Sequence, residues 1–478
     1  MFRLLLRLTT LLGCLCLGGL PLLQATDDFT PLGQGISGAH VVVDAIAATT
    51  SGGLFVGGTF TTINGTGSAA LTANNVAFWS GNAWSTLGGG VNGAVSSIAV
   101  SGTIVLVGGT FTSAQQTSGT TLPCNNLVQW DTSLNAWSVV GSTPGGGCNG
   151  PITSLAYDTK LGQFWIGGTF SMVDGAAFPD LGSGNLATYN PTSLDLLPSS
   201  FAPNNTVAAI AVDTDNETAY FGGTFTPTTS PSSPNTGLLK TAAGALATLP
   251  DLGQTPVDAI AVDDGNDWIY VGGNFTFPGT TPSSSIAMFN SASSTYAGLG
   301  SGLTNFGSPG TVQAILVPTS GFVNPIVGGT FNEAGTTVVA NLAIWNPITF
   351  VWSVYTGNTN GAVQVLATDS YGSVYVGGAF TAAISSGAVV DSAIVRVGPS
   401  QATAPTTTTT TTTTTGTGTG SSPTGTTSTS ATGTSSGTTA MPSGGGGSGV
   451  GNSGRCGLGS SLGVLVLMAL LITCRRLR

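Results

Sequence analysis

The sequence predicts an all-β chain whose main part is a seven-bladed β-propeller of four-stranded blades. Three observations carry that expectation. A double glycine inside a strand-like run recurs seven times, starting at Gly57, Gly108, Gly167, Gly222, Gly272, Gly328 and Gly377, so the unit repeats every 49 to 59 residues, the spacing of a repeat architecture. Each unit holds four short strand-like runs separated by turn residues. The composition, 6% charged with 73 glycines, disfavours helices.

Within a unit the elements follow a fixed order. An Ala/Val-rich run such as "AAIAV" (Ala208 to Val212) or "DAIAV" (Asp258 to Val262) suits an innermost strand, where small side chains must crowd a central channel. The glycine strand follows a short polar turn. Glycine inside a strand admits a close backbone or a bulge, and the phenylalanine two residues after the pair (Phe60, Phe111, Phe170, Phe225, Phe275, Phe331, Phe380) is placed to wedge between blades. A variable loop leads to a third run such as "NLAIW" and a tight turn to a fourth such as "VWSVY", giving the pairs Trp79/Trp84, Trp130/Trp137 and Trp345/Trp352. Units 4 and 5 lack the tryptophan pair.

The seventh unit ends at Ser400 without a fourth strand. The missing piece stands at the other end, where "FTPLGQGISG" (Phe29 to Gly38) aligns with the fourth-strand segment "WSTLGGGVNG" (Trp84 to Gly93). The N-terminal strand is therefore expected to complete the last blade and to hide an exposed edge. Four runs per fifty residues, with "YVGGTF" flanked by "AIAVD" and "NLAxW", resemble the kelch and delta-60 class of propeller repeats. Between Asp27 and Gly398 the chain is also similar to the lumenal propeller of fungal cortical-marker proteins. That resemblance implies a membrane-anchored landmark of cell polarity; fold alone does not set function.

The flanks assign a compartment. Residues 1–25 read as a signal peptide, with Arg3 and Arg7 ahead of the apolar "LLGCLCLGGLPLL"; a lipoprotein reading of "LLGC" is the alternative. Residues 399–454, with ten consecutive threonines (Thr406 to Thr415), cannot bury a core and suit a disordered, O-glycosylated stalk. Residues 456–474 are just long enough for an apolar membrane-anchoring helix before the basic tail 475–478. A GPI signal and a bacterial sorting tail are the alternatives. The expected location is the cell surface, as a single-pass membrane protein with an extracellular N-terminal domain.

Between signal and tail only Cys124 and Cys148 remain. In an oxidising compartment they are expected to form a disulfide, the alternative being two unpaired buried thiols. Asn64, Asn204, Asn216 and Asn274 lie in sequons; the first three are placed to carry glycan, the last sits inside a glycine strand.

Chemistry is sparse. From Asp27 to Gly398 three basic residues face 19 acidic ones, a net −16, which repels phosphate backbones and excludes nucleic acid as a partner. The one histidine, His40, cannot build a multi-histidine metal site, and no "GxSxG" elbow accompanies it. No cofactor or metal is expected. Asp213, Asp215 and Glu217, and Asp263, Asp264 and Asp267, fall in turns between first and second strands, where Asp serves turn geometry; a calcium site in "DTDNE" is the alternative. Asp174 and Glu333 stand singly in second-to-third strand loops, whose variety suits recognition. Two functions follow: a non-enzymatic surface propeller on a stalk, binding an extracellular protein or glycan for adhesion or marking, or a membrane-tethered carbohydrate-active enzyme using carboxylates at the channel mouth.

Overall fold

The computed structural model describes residues 28–398, apart from 65–69, 179–183, 200–202, 226–236, 243–244, 250–251, 253–255, 278–281 and 319–323. The expected signal, stalk, apolar helix and basic tail lie outside the described residues. Among the described residues no helix is long and apolar enough to cross a membrane, and regular structure other than strand is confined to the helical turn Asp264–Asn266.

Seven of the four-stranded antiparallel sheets, one to each glycine repeat, follow one another along the described chain. In the first, Val42–Ala48, Leu54–Thr59, Val76–Trp79 and Trp84–Thr86 pair in chain order from inner to outer. The next five repeat that order. In the seventh, Val363–Thr368, Val374–Gly378 and Ile394–Val397 are completed by Thr30–Pro31, with Thr30 opposite Arg396 and Pro31 opposite Val395. The expected pairing of the two ends of the domain is present. It is reinforced from both sides: the Phe29 N–H donates to Ser385 Oγ at 2.9 Å, and Trp84 Nε1 in the first sheet donates to the Leu32 carbonyl at 2.8 Å.

The two glycines of the motif make different clearances. A Cβ on the first would strike the inner strand of the following sheet, at 2.4 Å from Val95 for Gly57 and 2.5 Å from Val257 for Gly222. On Gly377 it would lie 2.7 Å from Val43, so the seventh sheet packs on the first and the arrangement is propeller-like. A Cβ on the second glycine would meet the backbone of its own inner strand: on Gly58 it would lie 2.0 Å from the Val42 oxygen. The inner strand bulges at that point. Its register jumps from Val43 opposite Gly58 to Ala45 opposite Gly57, leaving Asp44 without a cross-strand partner, and the same jump recurs in all seven sheets.

Packing between sheets follows the repeat. The seven phenylalanines are each at most 4% exposed. Trp84, Trp137 and Trp352 pair with the tryptophan opposite at 5.0 to 5.2 Å between ring centroids. Each of their indoles also donates to a leucine carbonyl after the preceding outer strand (Leu32, Leu87, Leu299). In the fifth sheet Phe289 and Tyr296 occupy the equivalent register at 4.9 Å, so the absence of tryptophans there does not remove the pair. Asparagines at positive φ open several third strands. Asn75 accepts from the Phe60 N–H and donates to the Val91 carbonyl of the next repeat, and Asn185 does the same with Phe170 and Pro203.

The expected Cys124–Cys148 disulfide is not formed: both are free, buried thiols. Cys124 packs in an apolar cluster with Val128 and Trp130, and Cys148 in another with Ile152 and Phe170. The connection is instead held by backbone and amide bonds, Cys148 N–H to Asn125 O at 2.9 Å and Asn126 Nδ2 to Cys148 O at 2.9 Å. Burial pushes the Cys124 thiol up to about 12 and moves Cys148 in the same direction.

Candidate ligand-binding face

Because the strands of each sheet alternate in direction, the second-to-third loops and the connections entering each inner strand share one end of the molecule. These segments form small accessory sheets. Thr62–Ile63 pairs with Leu71–Thr72 and Ile36–Ser37; Ser113–Gln115 pairs with Thr121–Pro123 and Gly90–Val91; Ala383–Ser385 pairs with Ala388–Val390 and Gly357–Thr359. In the first, second and seventh repeats the variable loops expected to suit recognition are thus hairpins anchored on the connection beside them.

Asp174 and Glu333 serve that anchoring. Burial would raise the Asp174 carboxyl, but hydrogen bonds from the hydroxyls and N–H groups of Thr143 and Ser142 outweigh it and hold it at about 2. Glu333 accepts from Thr304 Oγ1 at 2.9 Å. Both tie a hairpin to its neighbour.

The turn acids lie at the opposite end. Asp213 is fully buried and accepts from the Asn216 N–H at 2.8 Å, while Asn216 Nδ2 bridges Asp213 and Asp267 at 3.0 and 2.9 Å. Asp263 accepts from Asn266 Nδ2 at 2.9 Å, and Glu217 faces Lys160 at 3.6 Å. Asp215 is exposed. These contacts are turn chemistry. Among the described residues no three His, Cys, Asp or Glu side chains converge as a metal site. His40 is exposed ahead of the first inner strand.

The sequence reading passed over the residues at the seven bulges: Asp44, Ser96, Thr153, Ala208, Asp258, Gln313 and Gln364. Each is half-buried. The inner strand is the edge of its sheet, so its far side faces the central channel, and the bulge lies near its start, at the hairpin-bearing end. The seven residues thus mark a girdle at that mouth. Thr153 donates its hydroxyl to the Val207 carbonyl of the next inner strand, and Gln313 accepts from Thr330 at 3.5 Å. Asp44 and Asp258 have no hydrogen bond or ion pair among the described residues. Burial alone pushes Asp44 up to about 6 and raises Asp258, and neither carboxyl perturbs the other. The signal available in the sequence was the pentapeptide "VDAIA", present at 43–47 and 257–261.

Asn64 is half-buried at positive φ, and Asn204 is exposed. At Asn216 an N-linked sugar would displace one of the two amide protons that bridge the carboxylates. Asn274 donates to the Gly310 carbonyl at 2.9 Å.

No family model matches the chain, and no curated protein matches it. Among solved structures it is similar to the extracellular domain of BT4673 of B. thetaiotaomicron, named as a one component system, with 12% identity and a TM-score of 0.50 over 77% of this chain and 40% of that one. A second structure of that extracellular domain, named as a hybrid two component system, gives 12% identity and a TM-score of 0.49 over 78% and 40%. The WD40 β-propeller domain of Doa1 is 13% identical with a TM-score of 0.47, over 79% of this chain and 98% of that domain. The chain spans well under half the length of the BT4673 domain, and at this identity the likeness concerns the fold.

Proposed function

We propose that the protein is a non-enzymatic cell-surface recognition module. In this reading a seven-bladed propeller is displayed on a Thr/Ser-rich stalk above a membrane anchor and binds an extracellular protein or glycan through its hairpin-bearing face. The observation that carries it is a division of labour along the chain: recurring strands and glycines build the scaffold, while in five repeats, among the described residues, segments of differing length are fixed as small sheets on the hairpin-bearing face, which is how a rigid fold presents a binding surface. The signal-like N-terminus and the apolar, arginine-ended C-terminus support the surface location, with a GPI anchor as the alternative attachment. Glycan at Asn64 and Asn204 fits the same compartment. The kelch and cortical-marker resemblance adds the role of a polarity landmark.

A glycan array and a panel of extracellular proteins, probed with the full-length chain in detergent, test the reading. Binding abolished by replacing the Ser113–Pro123 hairpin with a two-residue turn is the expected result; binding indifferent to every hairpin on that face overturns it.

The second reading, a carbohydrate-active enzyme, gains one specific observation, the two carboxylates at the channel mouth. They sit on the first and fifth sheets, separated by the sixth and seventh, whereas a glycosidase pair sits within about 10 Å and perturbs each member's titration. Release of reducing sugar from an oligosaccharide panel, lost in Asp44→Asn, would establish the enzyme and displace the recognition reading.

A further inference from the structure

We propose that the hairpins of the sixth and seventh repeats form one apolar sector of the hairpin-bearing face, and that its occupant is an extracellular protein presenting an apolar side chain beside a lysine or arginine. This rests on the recognition reading and names the partner class within it.

The sector is set by register. In the sixth repeat Leu303–Asn305, Ser308–Pro309, Glu333–Ala334 and Thr337–Val338 pair as one small sheet. Residues directly opposite share a sheet face, so Pro309, Thr304, Glu333 and Val338 form one row, and buried Leu303 and Ala334 lie on the other face. In the seventh, Asn358, Ile384 and Val389 form the outward row over buried Ala383 and Ser385. The two sheets are tied together: the Ala340 N–H donates to Asn358 Oδ1 at 2.8 Å, and Asn341 Nδ2 donates to the Thr359 carbonyl at 3.0 Å. Val338, Ile384 and Val389 are all exposed. Matching pairs in the first and second repeats are polar, Thr62 with Thr72 and Gln115 with Thr121; the other exposed large apolar hairpin residues, Leu71 and Met172, belong to separate repeats.

Phe306 is an independent sign. The sixth-repeat hairpin closes on Phe306 and Gly307, both at positive φ (51° and 81°), a two-residue turn that favours asparagine or glycine at its first position. A bulky side chain is strained there, and at 89% exposed it recovers nothing by burial. The Phe306 N–H donates to Asn332 Oδ1 at 3.0 Å, next to Glu333, which fixes the turn beside the outward row. The fold gains nothing from this ring, whereas an interface would use it as an anchor.

Charge selects the partner. Glu333 is exposed between Thr304 and Val338 and accepts from Thr304 Oγ1. No lysine or arginine stands in a described hairpin: Lys160 occupies a turn at the far end, and Lys240 and Arg396 lie on third strands. The net −16 of the domain steers a basic partner toward it. Branched aliphatic side chains offer a sugar hydroxyl no hydrogen bond, while an apolar centre with a charged rim is the make-up of a protein interface. A partner of ordinary interface size, about 800 Å² on each side, covers several hairpins with this sector as its anchor.

The test selects a phage library of random 12-residue peptides on the full-length chain in phosphatidylcholine nanodiscs, after clearance on empty nanodiscs, and measures the best binders by calorimetry at pH 7.5. Selected peptides are expected to combine an aromatic or branched apolar residue with lysine or arginine. Phe306→Asn should weaken them roughly tenfold or more, Val338→Thr severalfold, and Glu333→Gln severalfold with a flatter salt dependence. Replacing the Ser113–Pro123 hairpin should leave these peptides bound. Binders without a basic residue, or none sensitive to Phe306→Asn and Val338→Thr, overturn the proposal. A glycan from the array that Phe306→Asn abolishes makes the occupant a sugar, and a panel protein lost on replacing the Ser113–Pro123 hairpin but kept by Phe306→Asn moves the anchor elsewhere; in both cases the recognition reading stands and this one falls. Phe306→Asn should melt at or above wild type, which separates lost binding from unfolding; a lower melting temperature overturns the reading of Phe306 as a residue the fold does not need.

Discussion

Replacing Asp44 by Asn should stabilise the protein at neutral pH, and the structure sets the size of the effect. The carboxyl titrates at 3.8 in its ordinary state and at about 6 in the fold, pushed there by burial. The folded protein therefore holds a proton that the unfolded chain releases between those values. The group's contribution is fully present below pH 4 and is lost as pH rises through 6, an amount of about 3 kcal/mol if none of it is screened. Asp44 is only half-buried, and solvent screening reduces this to about 1 to 2 kcal/mol. In a domain of this size that is a rise of roughly 1 to 3 °C in melting temperature for Asp44→Asn at pH 7.5. Scanning calorimetry of wild type and variant at pH 4.5, 6 and 7.5 measures it. The wild type should lose stability across that range, and the variant should lose less. Other carboxylates of the net-negative domain contribute to both slopes equally, so the difference between the slopes isolates Asp44. Asp174 has the opposite sign: its contribution is present above pH 4 and is lost as pH falls toward 2, outside the range scanned. A variant less stable than wild type at pH 7.5, or one with an unchanged slope, would refute the assignment of Asp44 as an unpartnered carboxylate.

Three other outcomes are expected. Gly223→Ala should lower the melting temperature more than Gly222→Ala, because the added methyl meets the Thr206 carbonyl oxygen at 2.0 Å in the first case and the movable Val257 side chain at 2.5 Å in the second; overpacking of this kind costs about 1 to 3 kcal/mol. Trp84→Phe and Trp137→Phe each remove one buried indole bond to a leucine carbonyl, worth about 1 to 3 kcal/mol when the acceptor is left unpaired; hydrogen exchange should show faster exchange of the Thr30 amide only in Trp84→Phe, whose acceptor Leu32 follows that strand. Alkylation under native conditions followed by peptide mapping should leave Cys124 and Cys148 unmodified, both reacting once the chain is unfolded, since both thiols are buried and raised in pKa; recovery of a Cys124–Cys148 cross-linked peptide from unreduced protein would restore the disulfide.

What the sequence disclosed, and what it hid, divides along the range of the interactions. The double glycine is a steric requirement met within a few residues and repeated seven times, so it stands out, and the N-terminal strand declares itself because "PLGQG" copies the "TLGGG" turn that receives an indole in the next sheet. The accessory sheets were invisible for the opposite reason. Their strands are two or three residues long, and Gly90–Val91 finds its partner in a hairpin more than twenty residues on, too short a pattern and too long a separation for periodicity. The Phe289/Tyr296 pair was missed because the register, not the residue type, defines that position.

The girdle shows how a local rule can conceal a site. "VDAIA" reads as an alternating inner strand in which Asp44 or Asp258 is one polar residue among small ones, and alternation alone assigns it to a sheet face. The second glycine changes that assignment: by clearing the inner-strand carbonyls, Val42 at Gly58 and Pro256 at Gly273, it admits the bulge, and the bulge removes the aspartate from the ladder. The same residue that lets neighbouring strands close together therefore also turns seven side chains out of strand pairing at the channel mouth. Packing motif and candidate site are one device, and a substitution at Gly58 or Gly273 should be read as a change to both.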